Sequence, residues 1–124
     1  MEALDPHLAW LCDHLEVDEA AVCAMQVGWS VGHFAFTFPM RDSSGKIVGF
    51  RLRKRDGQKY SIRGSREGLF IPSPVKGPDE LIVISEGPSD TMHLHSQGYH
   101  TIGRPSCRGA IQHAVDYCQE HPVV

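Results

Sequence analysis

The sequence predicts an α+β fold in which N-terminal helices and an antiparallel β-meander precede a parallel βαβαβ unit. Three observations carry the prediction. Apolar residues recur at helical spacing as far as Met25, and an alternation of period two sets in at Phe34. After a Gly- and Pro-rich stretch, the apolar run "LIVIS" is followed by a helix-length segment, a second short apolar run and another helix-length segment. The 124 residues, 41% hydrophobic and 22% charged with a net charge of −3, fit one globular domain with a small appendage. The expected segments are 1–30 (helical), 31–78 (meander) and 79–124 (the α/β unit).

Asp5-Pro6 opens the first helix, with an acid as N-cap and proline at the first helical position. Leu8, Leu11, Cys12 and Leu15 form its apolar stripe, and Asp18 caps a second short helix that runs through Met25 and ends near Gly28. The exposed faces of this pair are acidic, so it reads as a packing or partner-facing element and a poor nucleic-acid binder.

In "FAFTFPM" Phe34, Phe36, Phe38 and Met40 alternate onto one face, and Pro39, which lacks a ladder donor, predicts an edge strand. "DSSG" is turn chemistry; "KIVGFRLRK" then alternates Val48, Phe50 and Leu52 against Arg51 and Arg53. Asp56-Gly57 turns the chain into "KYSIR". The predicted meander has an apolar underside and an upper face of Arg51, Arg53, Lys59 and Arg63.

"GSREGLFIPSPVKGPDE" has the composition of a linker. "LIVIS" reads as a strand covered on both faces, Ser89 or Asp90 as the cap of the next helix, and Gly98 as its end. "YHTIG" is the second strand. "SCRGAIQHAVDYCQEH" is a helix with a buried stripe of Ile111, Ala114, Val115 and Cys118; Pro122 stops it, and "VV" begins a third strand.

No apolar run approaches the ~20 residues that span a bilayer, and "MEALDPHLAW" has no basic n-region. A cytoplasmic setting is expected. Cys12, Cys23, Cys107 and Cys118 contain no C-x-x-C pair, which excludes a zinc ribbon and predicts reduced thiols. His93 and His95, two apart on a helix, point to different faces and share no metal. Charge is unevenly spread. Residues 1–20 hold six acids and no Lys or Arg, whereas residues 41–66 hold nine of the twelve bases against Asp42 and Asp56. Cations lined up about 5 Å apart on a pleated face repel one another unless an anion joins them. The face is therefore either a phosphate-binding surface or a solvated one that guards a sheet edge.

Glu86 and Asp90, in "LIVISEGPSD", stand where ligands bind in parallel sheets, beyond the carboxyl end of a strand. Gly87 allows close backbone approach there. The arrangement suits a carboxylate that holds Mg²⁺ or relays a proton in phosphate chemistry.

"VISEGPSDTMHLHSQGYHTIGRPS" resembles the first half of a TOPRIM domain, the topoisomerase–primase fold, where a strand ends in Glu-Gly with an Asp a few residues on. Upstream, "FPMRDSSGKIVGFRLR", then "KY" and later "LF", resembles the segment before the TOPRIM domain in bacterial and phage DNA primases. The two stretches cover roughly residues 36–106. The resemblance implies the N-terminal part of a TOPRIM primase core, whose parent makes RNA primers by Mg²⁺- or Mn²⁺-dependent nucleotidyl transfer. It implies that Glu86 is a catalytic acid and metal ligand and that Asp90 is the second acid of the motif. Arg41, Arg53 and Lys59 match positions facing template or nucleotide, and Arg104 follows the second strand where related phage proteins have a similar run. The implied partners are single-stranded DNA, nucleoside triphosphates and a replicative helicase.

The departures are equally definite. The Asp-x-Asp pair that completes a TOPRIM metal site occurs nowhere in these 124 residues, nor does a zinc-binding cysteine set. The chain thus reads as the front part of such a core, cut or reduced, with an incomplete, weak metal site at Glu86 and no turnover of its own. Its open apolar sheet edge invites self-association into a homo-oligomer. A non-catalytic nucleic-acid-binding module and a TOPRIM nuclease fragment are the alternatives; the primase-like "FPMRD" argues against the nuclease.

Overall fold

The computed structural model describes residues 5–78, 80–106 and 109–121. It is an α+β fold with one four-stranded antiparallel sheet and one two-stranded parallel sheet. Helix α1 spans Pro6–Leu15 and α2 Glu19–Ala24. Both begin as their sequences predict: the Asp5 carboxylate accepts from the His7 N–H at 2.8 Å, and that of Asp18 from the Ala21 N–H at 3.0 Å. Strands β1 (Gly28–Ser30), β2 (Ala35–Arg41), β3 (Ile47–Arg53) and β4 (Lys59–Ser61) pair in that order. Strand β5 (Ile82–Glu86), helix α3 (Gly87–Ser96), strand β6 (His100–Arg104) and helix α4 (Ile111–Glu120) follow among the described residues. β5 and β6 are parallel in the register Ile82↔His100 to Glu86↔Arg104. The third strand predicted at "VV", its Pro122 stop and Cys107 lie outside the described residues.

Several expectations are corrected. β1 went unread, and its pairing makes β2 an interior strand, not an edge. Pro39 is tolerated because β1 pairs only as far as Thr37. The next residue of the same parity, Arg41, bonds Leu69 on the side away from β3. The nitrogen of Pro39 faces that same side, in the gap between β1 and Leu69, where no ladder donor is needed. Phe34 is not in the strand; it sits in a turn at φ 50° and is 70% exposed.

The larger correction concerns the faces of the meander. Next to the turn, Arg41 opposes Ile47; one step on, Met40 opposes Gly49, so Val48 is an extra, bulged residue. A one-residue shift moves every later side chain to the other face. Arg51 therefore opposes Phe38, and Arg53 opposes Phe36, on the face that carries the core rather than the one behind it. Ser61 and Lys59 continue the same rows on β4. The β2 part of this face is covered by helices, and the β3–β4 part projects past them.

The supposed linker contains core. Leu69 and Phe70 are fully buried and join the two sheets. Arg41 and Leu69 exchange N–H···O bonds at 2.7 Å in both directions, and Phe70 and Gly103 at 2.8 and 2.9 Å. Leu11, Val22, Phe36, Phe38, Met40, Phe70 and Met92, from helices, meander and α3, share one cluster. Each such side chain stabilises the fold by about 1.5–3 kcal/mol. A smaller cluster holds Leu69, Ile102, Ala114 and Tyr117.

α4 turns a different stripe inward from the predicted one. Ala114 and Tyr117 are buried, whereas Ile111 and Val115 are exposed. The anchor is polar: Tyr117 Oη lies 2.6 Å from Nε2 of buried His100, and its ring stacks on His121. β5 is half-covered, not doubly covered: Ile84 on one face is 47% exposed. Ile84, Ile111, Val115 and Cys118 consequently line one apolar hollow. No described helix is long and apolar enough to cross a membrane.

Candidate functional site

The junction of β5 and α3 is built by three hydroxyl and glycine contacts. α3 starts at Gly87, earlier than predicted: Glu86 itself is the N-cap, Pro88 sits in the first turn, and Asp90 follows it there. The Glu86 side chain makes no capping bond, so neither Ser89 nor Asp90 nor Glu86 closes the helix end with a side chain. Gly87 has φ +74°, and open space surrounds a Cβ built there. Its glycine is required by backbone conformation, not by close approach. Close approach is needed at Gly103 instead, where a Cβ would overlap Thr91 Oγ1 and come within 3.2 Å of the Gly87 carbonyl oxygen. The Thr91 hydroxyl donates to that carbonyl at 2.7 Å, and Ser85 Oγ lies 2.9 Å from Thr91 Oγ1. β6 can therefore press against the first turn of α3 and hold the strand end in place.

A cleft of about 280 Å³ opens at this strand end. One wall is Glu86, Gly87, Pro88, Ser89 and Asp90; the opposite wall is Arg51, Arg53 and Lys59. Phe38 and Phe70 lie between the walls, edge to face with centroids 6.5 Å apart. Arg51 is steadied by a bond to Ser61 Oγ at 3.3 Å. Two carboxylates, three cations and a helix N-terminus thus face one volume. An α-helix N-terminus and cations favour anions, while the carboxylates favour a cation. A phosphate bearing a divalent metal meets both demands.

Glu86, Asp90, Arg51, Arg53 and Lys59 are brought together from the predicted set. Three predicted residues are not. The Arg41 guanidinium is used locally, donating to the Gly45 carbonyl at 2.8 Å and to Gln26 Oε1, and it lines a separate cavity. Arg63 lies past the end of β4, in an exposed turn. Arg104 opposes Glu86 in register but donates Nε–H to the Gly109 carbonyl at 2.8 Å and lines the apolar hollow. Glu86 is exposed at the strand end, so no buried charge has to be compensated.

Sequence reasoning missed Ser89 and Pro105, which line the cleft, and the aromatic floor. Pro88, two residues past the strand end, was the available signal for the early helix start. Phe70 was concealed by the Gly- and Pro-rich composition around it. His93 and His95 do point apart: their Nε2 atoms reach the Leu15 carbonyl at 2.9 Å and the Pro74 carbonyl at 2.6 Å. Cys12, Cys23 and Cys118 are free thiols. Among the described residues, no group of three or more His, Cys, Asp or Glu is arranged to hold a metal. No protein-family model matches the chain, and no curated protein matches it.

Proposed function

We propose that the cleft binds a metal-carrying polyphosphate next to single-stranded DNA, as the front part of a TOPRIM-type DNA primase core. The observation that carries this reading is the single cleft with Glu86 and Asp90 on one wall and Arg51, Arg53 and Lys59 on the other. Mg²⁺ keeps several waters and takes one or two carboxylates plus substrate phosphates. Glu86 and Asp90 fit that donor set. When bound, the ion would neutralise phosphate charge and polarise the phosphoryl oxygens. The residues' own work is positional: Arg53 and Lys59 hold phosphate oxygens, Arg51 sets their height in the cleft, and Phe38 and Phe70 exclude water from its base.

Two carboxylates without an Asp-x-Asp pair suit binding better than turnover, which favours a non-catalytic binding role for these 124 residues taken alone. The partners of this reading are single-stranded DNA, nucleoside triphosphates and a replicative helicase, in a cytoplasmic setting. Calorimetry with Mg²⁺ alone, ATP alone and Mg·ATP tests it. Mg²⁺ alone binds weakly and ATP binds more tightly when Mg²⁺ is present. Glu86→Ala removes that Mg²⁺ dependence and spares metal-free ATP binding, whereas Arg53→Ala with Lys59→Ala weakens both. An unchanged Mg²⁺ dependence in Glu86→Ala refutes the assignment.

A further inference from the structure

Helix α1 was expected to repel nucleic acid, yet one stripe of it is aromatic and faces the basic strands. His7, Trp10 and His14 are spaced three and four apart and so lie along one side of the helix. His7 stacks on Trp29 of β1 with centroids 3.9 Å apart and planes 7° from parallel. His14 stacks on Trp10 at 4.7 Å and 9°, and Trp10 lies parallel to buried Phe36 at 5.8 Å. Cations border the rings: Arg55 sits 4.6 Å over the Trp10 ring, with its Nη2 3.3 Å from His7 Nδ1. Arg53, on the basic wall of the cleft, directly opposes Phe36 across the sheet. Rings and cleft are therefore parts of one surface. Asp13 is the only acid within α1.

We propose that this corner is a base-stacking platform for single-stranded nucleic acid, carrying bases on the His14–Trp10 and His7–Trp29 stacks while Arg53 and Arg55 hold the adjoining phosphates. The proposal extends the reading of the cleft as a phosphate site. A ring cluster that only fastened α1 to the sheet would need no cations around it. Aromatic rings beside a cationic track are what sequence-tolerant single-strand binding uses. His14 is exposed and partly buried His7 lies at the surface, so each stack ends in a ring that a base can meet.

Both tryptophans of the chain belong to this corner, so intrinsic fluorescence reads it without a label. The test titrates the full chain with an oligothymidylate of about 12 nucleotides, a length in the range of single-strand site sizes, and with an abasic oligomer of equal charge. Oligothymidylate is expected to quench the emission and bind roughly 5- to 150-fold more tightly than the abasic oligomer, the range that stacking one base supplies. His7→Ala combined with His14→Ala should abolish that preference and leave abasic binding intact. Equal affinity for the two oligomers, lost in Arg53→Ala/Lys59→Ala, overturns the platform and leaves the cleft reading standing. A thymidylate preference lost in the histidine variant but kept in the cleft variant supports the platform, and counts against the cleft only if the cleft variant binds both oligomers as tightly as the wild type. Full preference in the histidine variant, or no binding of either oligomer, overturns the platform.

Discussion

Replacing Gly103 by alanine adds a methyl group where β6 meets the start of α3. The new Cβ overlaps Thr91 Oγ1 and lies 3.2 Å from both Thr91 Cβ and the Gly87 carbonyl oxygen. Gly103 cannot retreat easily, because its N–H and carbonyl are both bonded to Phe70. The strain must be relieved by lifting the first turn of α3, at a cost of about 1–3 kcal/mol for overpacking a well-filled site. Thr91→Ala alone loses the 2.7 Å bond to Gly87 and should cost about 0.5–1.5 kcal/mol. Combined, the two changes should cost less than their sum by about 1 kcal/mol or more, because alanine at 91 vacates the space that the new methyl needs. Urea unfolding followed by tryptophan emission measures all four corners of this cycle, wild type included. Lifting the helix start also displaces Glu86, so Gly103→Ala should weaken the Mg²⁺-dependent part of ATP binding and the double variant should recover some of it. Strict additivity, within about 0.5 kcal/mol, would show that Gly103 and Thr91 do not compete for this space.

Three further outcomes are expected. Arg51, Arg53 and Lys59 line the cleft, Arg63 does not, and Arg55 adjoins the platform, so single-stranded DNA binding should show a log–log salt slope near roughly −3, flattened by about 1.4 in Arg53→Ala/Lys59→Ala; an unchanged slope would make the face a solvated surface. The Asp42 carboxyl is held below its ordinary value, chiefly by the Ser44 hydroxyl and also by the Lys46 and Ser44 N–H groups. A depressed acid stabilises the fold above its unfolded value and loses that contribution as pH falls through the folded one; acid unfolding should show the wild type's advantage over Asp42→Asn at neutral pH disappearing below the ordinary value of 3.8. Burial, and then the carboxylates of Glu19, Asp13 and Asp18, push the Cys12 thiol up, so peptide mapping after brief alkylation should find exposed Cys23 modified long before Cys12.

Local chemistry was legible in the sequence. The caps at Asp5 and Asp18 and the turns at Asp42 and Asp56 follow from side chains acting on nearby backbone, and the parallel pairing of the two short apolar runs from the helix-length segment between them. The acids and bases of the cleft were also legible, as separate groups. What brings them face to face was not. Period-two alternation says which residues of one strand share a face, but not which face of the neighbour they join. That depended on Val48, whose bulge turns Arg51 and Arg53 toward Glu86. Arg41 and Arg104 looked equivalent to the cleft cations, and hydrogen bonds to Gly45, Gln26 and Gly109 help set them apart. The stripe on α4 misled for a related reason: a buried Tyr117–His100 bond outweighed an aliphatic pattern.

The four backbone bonds made by Leu69 and Phe70 also bear on motion. They tie the end of β2 to the end of β6; β2 pairs with β3 and β6 with β5, the strands that lead into the two sides of the cleft. Lacing the sides at their base opposes a hinge between them, so the gap is largely gauged in advance and ligands are sorted by reach more than by closure around them. The amides of Arg41, Leu69, Phe70 and Gly103 should accordingly share one slow hydrogen-exchange rate, set by whole-molecule opening. Cutting the chain between the meander and the parallel strands should yield no half that folds alone.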